Sequence, residues 1–178
     1  MVSLTAALAL AVSAVASAQA LTFERVAIPA DASAATPALT AFMAKPASGG
    51  PVAAIVALHG CSGLIGPQGN VLPIYRDWAE RLVAAGYSII FPDSFGSRGI
   101  GAQCTVKDRQ ILPRDRAGDA AAVARWLAAQ PAIDGKRMAL MGWSHGGVEH
   151  AVDGAVQPGD RAKRLSRGDC VLSGLFGD

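Results

Sequence analysis

The sequence predicts an α/β domain organised around a parallel sheet. Three observations predict it. The runs 52–58 (VAAIVAL), 87–91 (YSIIF) and 138–141 (MALM) are apolar without alternation, as expected of strands buried on both faces. Between them lie segments whose apolar residues recur at helical spacing. The connections are short and end in Gly or Pro, so the elements read as βαβ units with right-handed crossovers.

Composition bounds the possibilities. The chain has 178 residues, 51% of them hydrophobic, enough for the core of one domain and too apolar for a disordered chain. A formal charge of +2 with 17% charged residues gives neither a basic footprint for nucleic acid nor an acidic tail. No stretch is long and pure enough for a membrane bundle. The three cysteines, at 61, 104 and 170, fit neither a disulfide scaffold nor zinc spacing, and no metal or cofactor is expected.

The elements follow in order. Residues 1–20 are uncharged and rich in Ala, Leu, Val and Ser, with small residues at cleavage spacing (Ala16-Ser17-Ala18 or Ala18-Gln19-Ala20), and read as a signal peptide. The mature chain then begins near Leu21 in the periplasm or outside the cell. Segments 23–29 and 39–44 read as a hairpin across a Pro/Ala/Ser-rich loop. Strand 52–58 ends in His59-Gly60-Cys61-Ser62-Gly63. A helix follows over 75–85, stopped by Gly86, and strand 87–91 closes on Pro92-Asp93. Beyond a Gly-rich loop lies a helix over 114–129 with an apolar face through Ala120, Val123, Ala124 and Leu127. The third strand runs into Gly142-Trp143-Ser144-His145-Gly146.

That last segment fits G-x-S-x-G, and its position between a strand and a helix start is the context of a nucleophile elbow. A strained turn lifts the serine hydroxyl above the sheet edge. The flanking glycines are needed where backbone and helix come too close for side chains. A serine acting on an acyl group also needs donors for the oxyanion that develops. The backbone N–H of His145 is one, and that of Cys61, on the loop after an earlier strand, is the second candidate. The rings of His59 and His145 read as packing or hydrogen-bonding groups, since the base must approach the hydroxyl from another strand.

ALHGCSG, FPDSFGSRG with Cys104 after it, PRDRAGDAAAVARWL and ALMGWSHGG together resemble the dienelactone hydrolase family of α/β-hydrolases over roughly residues 50–147. The resemblance implies a three-layer sandwich on an eight-stranded, mostly parallel sheet. It also implies hydrolysis of small carboxylic esters or lactones through a nucleophile–His–Asp triad. Many members use cysteine where this chain has Ser144. By this resemblance Ser144 is the nucleophile and Cys61 and His145 supply the oxyanion N–H groups. Asp93 and Arg98 fall in a loop near the site, without an assigned role. Cys61 and Cys104 follow strand ends in adjacent loops on one sheet edge, and in an oxidising compartment they are expected to pair as a disulfide.

Acid and base should follow the serine after further strands. Two more strand–helix units are needed, and 34 residues follow Ser144. His150 should point away from the hydroxyl, and no recognisable strand precedes Asp153, Asp160 or Asp169. The expectation is a truncated hydrolase domain over 21–147, lacking its C-terminal strands and helices and inactive as it stands. The alternative is a non-catalytic binding or assembly module derived from one. Residues 148–178 are broken by Gly154, Pro158 and Gly159 and show no strand-like alternation. Back-translated from Val148 with one base dropped, they can read through FRAAIAFYPG, a strand with a Pro-Gly stop. This tail is therefore expected to be aberrant and out of frame. No protein partner is indicated.

Overall fold

The structure, a computed structural model, describes residues 21–148, 163–165 and 170–174. The expected signal segment and most of the expected out-of-frame tail, including His150, Asp153, Asp160 and Asp169, lie outside the described residues. Strands β1 (Glu24–Ile28), β2 (Leu39–Ala44) and β3 (Val52–Leu58) precede helix α1 (Pro73–Ala84). Then come β4 (Ser88–Pro92), helix α2 (Pro113–Ala128), β5 (Ile133–Trp143) and the short α3 (His145–Val148). Two further strands, β6 (Lys163–Leu165) and β7 (Cys170–Gly174), complete the described elements.

Among the described residues the sheet has seven strands in the order β1-β2-β4-β3-β5-β7-β6. Its centre is parallel, with β3 flanked by β4 and β5. The β1–β2 hairpin joins β4 antiparallel. On the other side β7 pairs antiparallel with β5, Met141 facing Leu172, and β6 pairs with β7. The sequence of 148–178 signals no strand, yet two form there. A strand edge offers unpaired N–H and C=O groups to any extended backbone, so side-chain alternation is not required for pairing.

The continuous apolar runs divide between two cores because successive side chains point to opposite faces. Val56, Leu58, Ile90 and Leu140 pack with Ala120, Val123, Ala124 and Leu127 of α2. Ile55, Ala57, Ile89, Phe91, Met141 and Trp143 face Tyr75 and Ala79 of α1. Each such large side chain contributes about 1.5–3 kcal/mol by leaving water, and this burial holds helices on both faces of the sheet.

Helix boundaries have local causes. Both α1 and α2 begin with Pro at the first turn, where the missing N–H would have had no helical partner. The Asp115 carboxylate accepts from Leu112 N–H at 2.8 Å, capping α2. Helix α1 stops where Gly86 takes a φ of +90° and Tyr87 N–H returns to the Leu82 carbonyl at 3.0 Å.

Candidate active site

The loops after β3, β4 and β5 meet at one end of the parallel strands, where α/β sheets place their ligands. Ser144 sits on the last of them with φ +49°, one of two described non-glycine residues in the left-handed region. For a serine this conformation costs about 1–3 kcal/mol and persists only if the surroundings impose it. They do so through Gly146. A Cβ there would press on the Leu58 carbonyl oxygen and lie 2.8 Å from the His59 carbonyl oxygen. Only glycine lets the start of α3 approach the end of β3 so closely. The Ser144 side chain is left exposed.

The candidate oxyanion loop lies against this turn. An ideal Cβ on Gly60 would be 3.3 Å from the Trp143 carbonyl oxygen and 3.8 Å from Ser144 Cβ. Gly60 N–H donates to the Tyr75 hydroxyl at 2.9 Å, fixing the loop to α1. Cys61 follows, its carbonyl accepting from Gln103 N–H at 2.7 Å. A disulfide joins Cys61 to Cys104 with their Cα atoms 4.8 Å apart. Cys61 is thus tied twice to the loop that follows β4.

His59 and His145 are both buried. His59 Nδ1 lies 2.8 Å from its neighbour's carbonyl oxygen at Gly60, and its ring meets Phe95 edge-on at 4.6 Å. Burial, and next the Arg116 charge, hold its pKa well below the ordinary 6.5. His145 is lowered to about 4, by burial first and then by Arg116 and Arg109. Both rings are neutral near pH 7 and engaged with protein groups.

Asp93 and Arg98, unassigned from sequence, take up structural positions. Asp93 accepts from Gly96 N–H at 2.9 Å. Its pKa is raised by burial, opposed by that hydrogen bond and by the Arg116 and Arg25 charges. Arg98 binds Asp119 of α2 through both carboxylate oxygens, at 2.7 and 2.9 Å, and donates to the Ser94 carbonyl at 2.9 Å. Sequence reasoning missed Arg116, Tyr75 and Phe95 as site-forming residues. Nothing in PRDRAGD distinguishes the arginine that will be buried from the one that stays in water. Among the described residues no cluster of His, Cys, Asp and Glu could hold a metal ion.

A family model, that of the prolyl oligopeptidase family, matches residues 75–152. No curated protein matches the chain. Among solved structures, it is similar to a Klebsiella pneumoniae protein assigned as a dienelactone hydrolase, with 21% identity and a TM-score of 0.55. That likeness covers 72% of this chain and 52% of the other. An acylaminoacyl peptidase of Pyrococcus horikoshii is 19% identical with a TM-score of 0.53, over 74% of this chain and 21% of the peptidase. A dienelactone hydrolase-like promiscuous phosphotriesterase from metagenomic libraries is 19% identical with a TM-score of 0.52, over 74% and 52%. The chain therefore spans about half the length of the two dienelactone hydrolase-like proteins. The fold is that of the α/β-hydrolases.

Proposed function

We propose that this chain carries the nucleophile half of a serine hydrolase acting on small carboxylic esters or lactones. The observation that carries the reading is the left-handed Ser144 at the end of β5, with Gly146 seated under the carbonyls of Leu58 and His59. A strained serine at the mouth of a parallel sheet is the geometry that nucleophilic attack requires. In the proposed step Ser144 Oγ attacks the acyl carbon and the carbonyl electron pair moves onto oxygen. The backbone N–H groups of Cys61 and His145 donate to that oxyanion, its collapse breaks the C–O bond to the alcohol, the alcohol leaves with the serine proton, and water later releases the acid. The hydrolase names of the structurally similar proteins support the reaction class.

No histidine among the described residues serves as a general base. Both described histidine rings are buried, neutral and held by Gly60 or Arg116. The serine hydroxyl stays protonated, and the oxyanion donors leave a residual acceleration of roughly 10³-fold over water. With the described residues alone deacylation lacks a base as well, so an acyl group should accumulate on Ser144. Incubation with p-nitrophenyl acetate followed by peptide mass spectrometry tests this. One acetyl group on Ser144, absent in Ser144→Ala, is expected. Acetylation elsewhere removes the assignment of Ser144. Turnover near 10 s⁻¹, typical of enzymes, would mean that these residues do contain a base. We also propose that the protein is exported, a reading supported by the Cys61–Cys104 disulfide, since such bonds persist in oxidising compartments.

A further inference from the structure

The three loops that build the site converge on one guanidinium. Arg116, in the first turns of α2, is fully buried. Its Nη2 donates to the His59 carbonyl oxygen at 2.7 Å. Its Nη1 lies 3.4 Å from His145 Nδ1. Its Cζ sits 5.3 Å from the centre of the Phe95 ring. His59 belongs to the loop after β3, Phe95 to the loop after β4, and His145 to the turn after β5.

An arginine is seldom buried this completely unless its fork is used. Filling the same space with apolar groups would hold α2 on the sheet equally well. What an apolar side chain cannot do is join two acceptors on separate loops with fixed geometry. One of those acceptors lies two residues before Cys61, and the other belongs to the residue after Ser144. These are the two segments that would supply the oxyanion donors.

We infer that Arg116 is the positioning residue of the oxyanion hole, holding the loops after β3 and β5 so that the Cys61 and His145 N–H groups face one point beside Ser144. The inference rests on the reading of Ser144 as nucleophile. Neutral His145 offers Nδ1 as the acceptor, and its lowered pKa keeps it so. Asp119, one helical turn further on, binds Arg98 in the same manner, so α2 fastens the loop after β4 as well.

The test needs a nucleophile that works without a base. Ser144→Cys in a Cys170→Ser background provides one, because a thiol forms some thiolate unaided and Cys61 and Cys104 are already paired. Its sulfur attacks the acyl carbon of p-nitrophenyl acetate. The C–S bond forms, the C–O bond breaks, and p-nitrophenolate leaves with the electron pair after an oxyanion has formed. Iodoacetamide alkylates the same sulfur by displacing iodide, with no oxyanion on the path. The ratio of the two rates isolates oxyanion stabilisation from thiolate population and access.

The parent variant should exceed N-acetylcysteine in this ratio. Adding Arg116→Lys, which keeps the charge but cannot bridge both acceptors, or Arg116→Gln should lower acylation about 100-fold, as loss of an oxyanion donor does. Alkylation should hold. An unchanged ratio in both variants overturns the inference while leaving the nucleophile reading intact. Loss of both rates together, with unfolding, also overturns it, since Arg116 would then be a structural residue only. A parent ratio no higher than that of the free thiol removes both.

Discussion

Adding a single methyl group at Gly146 should loosen the elbow and lower the stability of the whole domain. In Gly146→Ala the new Cβ would press on the Leu58 carbonyl oxygen and lie 2.8 Å from the His59 carbonyl oxygen and 2.9 Å from the Leu58 carbonyl carbon. All three atoms are backbone at or just beyond the end of β3, and β3 is paired on both sides. No side chain can rotate to relieve the contact. Overpacking of this kind costs about 3 kcal/mol, the upper part of the usual range. Alanine in a helix returns up to about 1 kcal/mol, so the clash wins by about 2 kcal/mol. For a domain of this size that lowers Tm by about 4–8 °C. Gly50→Ala is the control, because nothing lies within 4 Å of its Cβ position. Thermal and urea unfolding of the three proteins measure the effect. If Gly146→Ala melts with the wild type, the close approach of α3 to β3 is not what holds Ser144 in its strained conformation.

Reducing the Cys61–Cys104 bond, which spans 43 residues, should cost about 4 kcal/mol by the chain-entropy estimate. Urea unfolding with and without reductant measures it, and coincident curves would refute it. Stability should also fall as pH drops from 6.5 toward about 4. There the unfolded chain protonates His145 while the folded chain does not, and His59 acts in the same direction. A urea midpoint with the same pH slope in His145→Asn as in the wild type would contradict the assignment. Asp93, raised above 3.8, contributes with the opposite sign, so its contribution is lost as pH rises. Arg98→Ala leaves the fully buried Asp119 carboxylate without its guanidinium and should destabilise by about 3–5 kcal/mol. Much of that should be recovered by adding Asp119→Asn, and a single-variant loss no larger than at a surface ion pair would sink the argument.

The strands and helices of the central unit were legible in the sequence because each has its own local cause. Short continuous apolar runs closed by Gly or Pro fit strands with both faces covered, and the spacing between them fits helices. The run 52–58 became β3 without displacement. The expected strand 138–141 proved longer, Ile133–Trp143, because pairing with β3 extends past the point where Lys136 and Arg137 hide the pattern. The elbow was legible for a related reason. A glycine two residues after a serine is a steric statement, and the contacts a Cβ would make at Gly146 state it again in distances.

What only the tertiary structure decided is which charged side chains are drawn inside. Arg114 and Arg116 stand two apart in the same helix turn, yet Arg116 alone is fully buried, against His59, Phe95 and His145. The pairings Arg98–Asp119 and Cys61–Cys104 span 21 and 43 residues. Local periodicity reports the environment of a residue through its neighbours in the chain. Burial of a guanidinium depends on three loops, separated by dozens of residues, arriving at the same place, and that meeting exists only once the sheet has formed.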